Sequence, residues 1–213
     1  MRTAGLRPRA LGGACLLAAV LAAALAEAEP SAEALLAAAP SGLRSKLESE
    51  RVVVLDATSE PDLAGFVVAL AIFSRPRRDV VELVSQSARQ TEYRPELESV
   101  AVISDGANER VDEHRLRILF KEVVYRLRYQ RDPQTDRIAW MLDPRFDNDL
   151  HRLDGFWEFY DLPGERTLGR FGSHVDVGPA FPDFVQKRLS RQTVIRTVEN
   201  CRQWVDAHGE WRP

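Results

Sequence analysis

The chain has few of the residues that build disulfides and metal sites. Its 213 residues include two cysteines, Cys15 and Cys201, and four histidines. If the N-terminal segment is removed, as argued below, Cys201 is the only thiol left, which excludes an internal disulfide and a thiolate metal site. The histidines form no H-x-H or H-E-x-x-H pair, whereas zinc needs several ligands in a fixed geometry; they are His114, His151, His174 and His208. We therefore expect neither a metal nor a cofactor.

Motifs of catalytic and phosphate-binding sites are also missing. No G-x-S-x-G elbow and no glycine-rich phosphate loop occurs. Residues 143–155 are rich in aspartate, but they lack the D-x-[DN]-x-[DN]-G frame of a calcium loop, so we favour a polar loop or a bulged strand. His174 and Asp176 would share one face of a strand, and a solvated outer face is favoured over a metal or acid–base pair. Cys201 lies on the apolar side of a helix, which favours an inert buried thiol.

The N-terminus has the pattern of a secretory signal peptide. Three arginines and no acidic residue precede an uncharged apolar run over 11–26. The run ends at Ala26 in the small-x-small pattern of a cleavage site, and Ala28 offers a second site. A retained anchor is the alternative, but 16 residues are fewer than the roughly 20 that span a bilayer. We expect cleavage and export to the periplasm or the medium, with 27–50 as a lead-in segment.

The charge balance argues against a nucleic-acid partner. Of the 29 basic side chains, cleavage would remove Arg2, Arg7 and Arg9, which leaves 26 against 32 acidic ones, a net charge of −6. Nucleic-acid binding normally requires a basic surface. The 187 residues after Ala26 suffice for one domain with a sizeable core, and we expect a monomer.

The rest of the chain predicts an α+β domain. Residues 51–57 predict a strand, 64–74 fit a strand or a buried helix, and 79–90 repeat apolar residues on a helical face. Residues 99–106 then predict a strand that ends at the Asp105-Gly106 turn signal. Alternating side chains predict antiparallel strands with one buried face at 114–120, 123–130 and 137–142, and two further strands at 155–162 and 166–177 flank the turn at Pro163-Gly164. A helix over 180–207 carries one apolar stripe, and 208–213 form a tail.

This order of elements resembles the START-like superfamily (SRPBCC). Residues 181–205 look like the ending of its bacterial polyketide cyclase/dehydrase and lipid-transport members, and the hairpin 123–142 resembles their central strands. The resemblance covers about 51–207. It implies a helix-grip fold, in which a curved antiparallel sheet wraps around the long C-terminal helix and leaves a hydrophobic cavity. Members carry sterols, phospholipids, quinones or other apolar ligands, and a minority are cyclases.

Strand parity and the helix stripe predict the residues that face this cavity. Pockets for small molecules are mostly apolar with a few orienting polar groups. We expect ligand contacts at Tyr125, Leu127, Tyr129, Ile138, Trp140, Phe171, Val175, Phe184, Arg188, Ile195 and Val198. The hydroxyls of Tyr125 and Tyr129 could orient a ligand, and Arg188 or Arg191 could hold an acidic head group.

The sequence therefore predicts an exported protein that binds or transports a hydrophobic ligand such as a lipid, sterol or quinone, with transient membrane contact. Two alternatives stay open. One is a cyclase or aromatase in the same fold, which needs a polar constellation inside the cavity. The other is a non-catalytic interaction module whose core is filled. Because no catalytic set is visible in the sequence, we favour a binding protein over an enzyme.

Overall fold

The fold is built on one antiparallel sheet. The computed structural model describes residues 31–38, 42–49, 51–55, 60–107, 109–118, 121–179 and 183–213, with the backbone alone at 38 and 183–190. The expected signal peptide, 1–26, lies outside these residues. Eight strands occur in the described part, namely β1 Val53–Leu55, β2 Val67–Phe73, β3 Leu97–Asp105, β4 Glu109–Ile118, β5 Lys121–Arg131, β6 Ile138–Leu142, β7 Arg152–Leu162 and β8 Arg166–Asp176.

The strand order makes a curved sheet whose two ends the chain must connect. The order is β1-β2-β8-β7-β6-β5-β4-β3, with every neighbouring pair antiparallel. Strands β3 to β8 follow one another as hairpins, and β8 returns beside β2. The segment between β2 and β3 therefore crosses from one side of the sheet to its far edge.

Four α-helices and two short 3-10 helices accompany the sheet in the described residues. They are α1 Ala32–Ala38, α2 Leu43–Ser49, α3 Arg77–Val84 and α4 Asp183–Asp206, with 3-10 helices at Pro61–Leu63 and Ser87–Glu92. The helix predicted over 79–90 is thus interrupted: α3 ends at Val84, and a 3-10 helix begins at Ser87. The run 64–74, which fitted strand or helix, contains strand β2. None of the described helices is both long and apolar enough to cross a membrane.

The main core lies between α4 and the concave face of the sheet. The buried stripe of α4 comprises Val194, Val198, Cys201, Trp204 and Val205. It packs against alternate side chains of the central strands, including Ala69, Ala71, Phe73, Trp157 and Phe159. Burying one such large apolar side chain contributes about 1.5–3 kcal/mol. This arrangement confirms the predicted helix-grip α+β fold.

Both ends of the described chain pack onto the domain. Helices α1 and α2 bury Ala32, Leu43 and Leu47 against the convex face, where Leu70 and Leu168 point outward. Residues 208–213, predicted as a tail, fold back towards the 3-10 helix Ser87–Glu92. There Arg212 pairs with Glu92 at 2.8 Å, and Trp211 packs against the main core.

Candidate ligand-binding site

A cavity of about 260 Å³ lies between the concave face of the sheet, α4 and the α3–3-10 segment. Strands β5 to β8 form one wall, and Thr193, Val194 and Thr197 of α4 face it. The apolar part of the wall consists of Leu127, Ile138, Trp140, Leu153, Trp157, Phe171 and Val175. The cavity is therefore an aromatic-rich gap in the space between helix and sheet.

Glycines make room for the aromatic rings that lie on the sheet. Trp140 pairs across the strands with Gly155, and a Cβ on that glycine would overlap the indole ring. A Cβ on Gly169 would lie 2.6 Å from the ring of Phe73 and 3.1 Å from that of Trp157. With only hydrogen at these positions, the ring centroids of Trp140 and Trp157 come within 5.5 and 4.8 Å of that of Phe171. Such tilted and edge-on contacts are the favoured geometries of aromatic pairs.

The cavity opens beside the β3–β4 turn. Asp105, Gly106, Ala107 and Glu109 line the cavity and are themselves exposed, as is Arg131 at the end of β5. The register of β3 against β4 shifts between Val102 and Ser104, which marks a bulge. Bulges redirect side chains at the rims of sheets.

One wall of the cavity is polar, and a chain of hydrogen bonds joins several of its side chains. Arg94 donates to Gln90 Oε1 at 3.1 Å, and Gln90 Nε2 donates to the Tyr129 hydroxyl oxygen at 3.1 Å. The same hydroxyl lies 3.2 Å from His114 Nε2. Arg94 also donates to Glu96 at 2.9 Å. Because the Tyr129 oxygen already accepts from Gln90, its proton points towards His114 Nε2, which places the imidazole proton on Nδ1.

His114 is held in its neutral form. Burial lowers the pKa of its imidazole to about 3, and the positive charge of Arg94 acts in the same direction. The ring stacks on Tyr125 with centroids 5.2 Å apart, and its Nδ1 atom is buried with no hydrogen-bond partner. Burial and the charge of Asp112 also raise the pKa of the Tyr129 hydroxyl, which therefore stays protonated. Neither group is poised to exchange protons near neutral pH.

A buried carboxylate lies behind the same wall. Asp112 is fully buried on β4, and one of its oxygens accepts from Arg110 Nε at 3.0 Å. Its other oxygen, Oδ2, has no hydrogen-bond partner, and neither have the hydroxyls of Ser85 and Ser87, two residues that line the cavity. Burial raises the pKa of Asp112, although the Ser87 hydroxyl and Arg110 lower it in part. The Ser87 hydroxyl therefore lies beside this carboxyl, although neither Ser87 Oγ nor Asp112 Oδ2 forms a hydrogen bond.

The structure places six of the eleven predicted contact residues on the cavity, namely Leu127, Tyr129, Ile138, Trp140, Phe171 and Val175. Three others lie elsewhere. Tyr125 is covered by His114, Val198 is fully buried in the helix–sheet core, and Ile195 is half-buried, one residue off the buried face of α4. The side chains of Phe184 and Arg188 lie outside the described residues. Arg191, the other candidate for a head group, is exposed.

The remaining candidates have structural roles. His174 lies on the outer face, as predicted from parity, where it meets the ring of Phe66 with centroids 5.7 Å apart. In the aspartate-rich loop, Asp143 accepts from Arg145 at 2.9 Å, and Asp149 accepts from the Val124 backbone at 2.8 Å. Burial raises the pKa of the Cys201 thiol to about 12. Among the described residues, no group of three or more histidine, cysteine or acidic side chains could hold a metal ion.

Sequence reasoning missed the polar wall. The predicted strand 114–120 begins at Glu109 in the structure, so Arg110, Asp112 and His114 continue the inward parity of Leu116. This parity was readable, but three polar residues in a row of inward positions are not typical of a buried face. Gln90 gave no signal, because its partner Tyr129 on β5 is distant in sequence, and Arg94 joins the wall through Gln90.

No protein-family model and no curated protein matches the sequence, but solved structures match the fold. A START superfamily protein from Mycobacterium smegmatis is 15% identical with a TM-score of 0.56, over 67% of this chain and 97% of that one. The Zhui aromatase/cyclase from Streptomyces sp. R1128 is 17% identical with a TM-score of 0.55, over 68% and 93%. A STAR-related lipid transfer protein from Xanthomonas axonopodis is 12% identical with a TM-score of 0.54, over 73% and 99%. The chain therefore has the helix-grip fold of the START-like superfamily.

Proposed function

We propose that this protein is an exported binding protein that carries a hydrophobic small molecule in the cavity under α4. The observation that carries the proposal is the aromatic-lined cavity itself, because an interaction module with a filled core would not contain such a space. Binding would be driven by burial of apolar surface, at about 25 cal/mol per Å². One of the similar folds is named a lipid transfer protein, which supports this class of ligand.

A cyclase or aromatase remains the second candidate, since another similar fold is named an aromatase/cyclase. The polar wall formed by Arg94, Gln90 and Tyr129 is the kind of constellation that such an enzyme would need. However, His114 is neutral and enclosed, and the Tyr129 hydroxyl is engaged with both Gln90 and His114. These groups therefore support orientation of a ligand better than proton transfer.

The test is native mass spectrometry of the secreted mature protein, followed by organic extraction. A stoichiometric co-purifying molecule is the expected result. Thr197 lines the cavity from α4, so Thr197→Phe should fill the space and abolish capture. Gln192→Phe places the same ring at an exposed position of the same helix and should retain the ligand. A ligand-free wild-type mass, with no uptake from a lipid extract, would sink the carrier proposal.

Export is part of the proposal and has its own test. Cleavage after Ala26 or Ala28 predicts a mature N-terminus at Glu27 or Glu29. N-terminal sequencing of the protein from the periplasm or the medium should find one of these residues. A protein that keeps Met1 and stays with the membrane fraction would indicate a retained anchor instead.

We also propose transient contact with a phospholipid bilayer beside the cavity opening. Val102 and Ile103 are 42% and 48% exposed, and they lie at the β3 bulge next to the turn that lines the opening. Flotation with phosphatidylcholine vesicles should detect the wild type and lose Ile103→Asp. Met141 is equally exposed but lies on β6, so Met141→Asp should still float. Equal flotation of both variants and the wild type would exclude this docking site.

In solution we expect a monomer, which light scattering would check.

A further inference from the structure

The size of the cavity limits what it can enclose. At about 260 Å³ it lies just below the range of about 300–1,000 Å³ that is typical of pockets for drug-sized ligands. A two-chain phospholipid would leave most of its surface outside. A molecule with one or two rings matches the volume and can stack against Trp140, Trp157 and Phe171.

The charges around the cavity disfavour an ionic head group. Each of the three arginines that line the cavity is already paired: Arg94 with Glu96 at 2.9 Å, Arg110 with Asp112 at 3.0 Å and Arg131 with Asp136 at 2.9 Å. An anion in the cavity would therefore lie near Asp105 and Glu109, which line it, without an unpaired arginine to bind it. A cation would be repelled by the positive charges of the three arginines. A neutral polar group avoids both penalties.

The unpaired buried groups indicate what that neutral group does. Ser87 is 3% exposed and Asp112 is fully buried, yet Ser87 Oγ and Asp112 Oδ2 both lack a hydrogen bond. An unsatisfied buried polar group is costly, and each one requires an explanation. A serine hydroxyl can rotate among staggered positions, and donation from Ser87 to Asp112 Oδ2 would satisfy both atoms. The serine oxygen then accepts a hydrogen bond from a donor in the cavity.

We propose that the cavity selects a compact ring-bearing molecule with a neutral hydroxyl group, which donates to Ser87 Oγ while Ser87 donates to Asp112 Oδ2. This inference rests on the proposed function, since it specifies the ligand of the same cavity. The negative carboxylate makes Ser87 a strong acceptor, because hydrogen-bonded groups in a chain polarise one another. A hydroxyl donor is therefore favoured over a hydrocarbon and over a carboxylate.

The test compares three probes of one shape by titration calorimetry: 2-naphthol, naphthalene and 2-naphthoate. On the wild-type protein, 2-naphthol should bind at least about tenfold more tightly than naphthalene, as expected for one hydrogen bond to a charge-assisted acceptor. The 2-naphthoate anion should bind most weakly. Equal affinities for naphthol and naphthalene would overturn the hydroxyl inference but leave the apolar carrier standing. Failure of all three probes to bind would overturn both.

Two variants and one control locate the effect. Ser87→Ala should reduce the affinity for 2-naphthol to that for naphthalene and leave the affinity for naphthalene unchanged. Retained binding of naphthalene by this variant would show that the cavity is intact, which separates recognition from a loss of fold. Asp112→Asn should weaken naphthol binding several-fold, because it replaces the negative carboxylate behind Ser87 with a neutral amide. Ser173→Ala, at a buried cavity position on β8, should keep the tenfold preference. Loss of both probes together in Ser87→Ala would contradict the proposal.

Discussion

The hydroxyl of Tyr129 lies 3.2 Å from Nε2 of His114, and this contact joins the cavity to the interior of the sheet. Tyr129 lines the cavity, whereas His114 is fully buried on the neighbouring strand. Gln90 donates to the same hydroxyl from the 3-10 helix. The orientation of a cavity side chain is thus held by groups that a ligand does not touch.

Acid should destabilise the protein through His114. In the folded state its pKa is about 3, whereas the unfolded value is about 6.5, so between these values the unfolded chain binds a proton that the folded protein excludes. The contribution of the neutral imidazole to the free energy of unfolding is therefore fully present above about pH 6.5. It is lost as the pH drops towards 3, at up to roughly 1.4 kcal/mol per pH unit. The groups that face the ring are Arg94, Tyr125 and Tyr129, with Asp112 on the same strand.

The measurement is urea unfolding of the wild type and His114→Asn between pH 7 and pH 4. The variant should lose stability less steeply than the wild type as the pH falls, whatever its absolute stability. His208→Asn, at an exposed position, should keep the wild-type slope. Parallel curves for the wild type and His114→Asn would disprove the assignment.

Gly155→Ala should disturb the wall of the cavity that β6 and β7 form. A Cβ there would overlap the ring of Trp140 and the carbonyl oxygen of Gly172, so the strand pair or the indole must move. We expect a loss of about 1–3 kcal/mol in the free energy of unfolding and a changed near-UV circular dichroism spectrum. Gly164→Ala is the contrast, because that turn glycine has open space and a φ of 80°. It should cost about 1 kcal/mol and leave the tryptophan spectrum unchanged.

Cys201 should not react in the folded protein. Burial excludes reagents and raises the pKa of its thiol to about 12, so almost no thiolate exists at pH 8. Alkylation by iodoacetamide, followed by mapping of the peptide with Cys201, should be as slow as unfolding and should accelerate in urea. Rapid stoichiometric labelling in native buffer would show that α4 opens locally.

Glu92→Gln should loosen the C-terminal segment. Glu92 accepts from Arg89 at 2.8 Å and from Trp204 Nε1 at 2.9 Å, and it pairs with Arg212 at 2.8 Å. This change leaves Arg89 and Arg212 without a carboxylate partner and replaces one of the two acceptor oxygens with an amide NH2 donor, with an expected loss of about 1–3 kcal/mol in urea unfolding. Glu98→Gln breaks the more exposed pair with Arg117 and should change stability by less than about 0.5 kcal/mol. Equal effects would mean that Glu92 has no structural role.

Local patterns predicted the sheet better than the site. Alternation over 123–130 placed Tyr125, Leu127 and Tyr129 on one face, and all three point inward. Alternation alone could not show that Tyr125 would be covered by His114, because the two strands come together only in the folded sheet. The break after Val84 was also unreadable, since Ala88 follows Val81 and Val84 at the spacing of one helical face.

The sequence by itself determined which side chains face inward on the central strands and the apolar stripe of α4, because periods of 2 and 3.6 residues are local properties of strand and helix. The tertiary structure decided which inward residues meet the cavity. Val198 fills the core, whereas Thr197, turned by about 100° around the helix, borders the cavity. It also decided that Asp112 and His114 are buried beside Gln90 and Ser87, since the segment between β2 and β3 crosses the sheet to reach them.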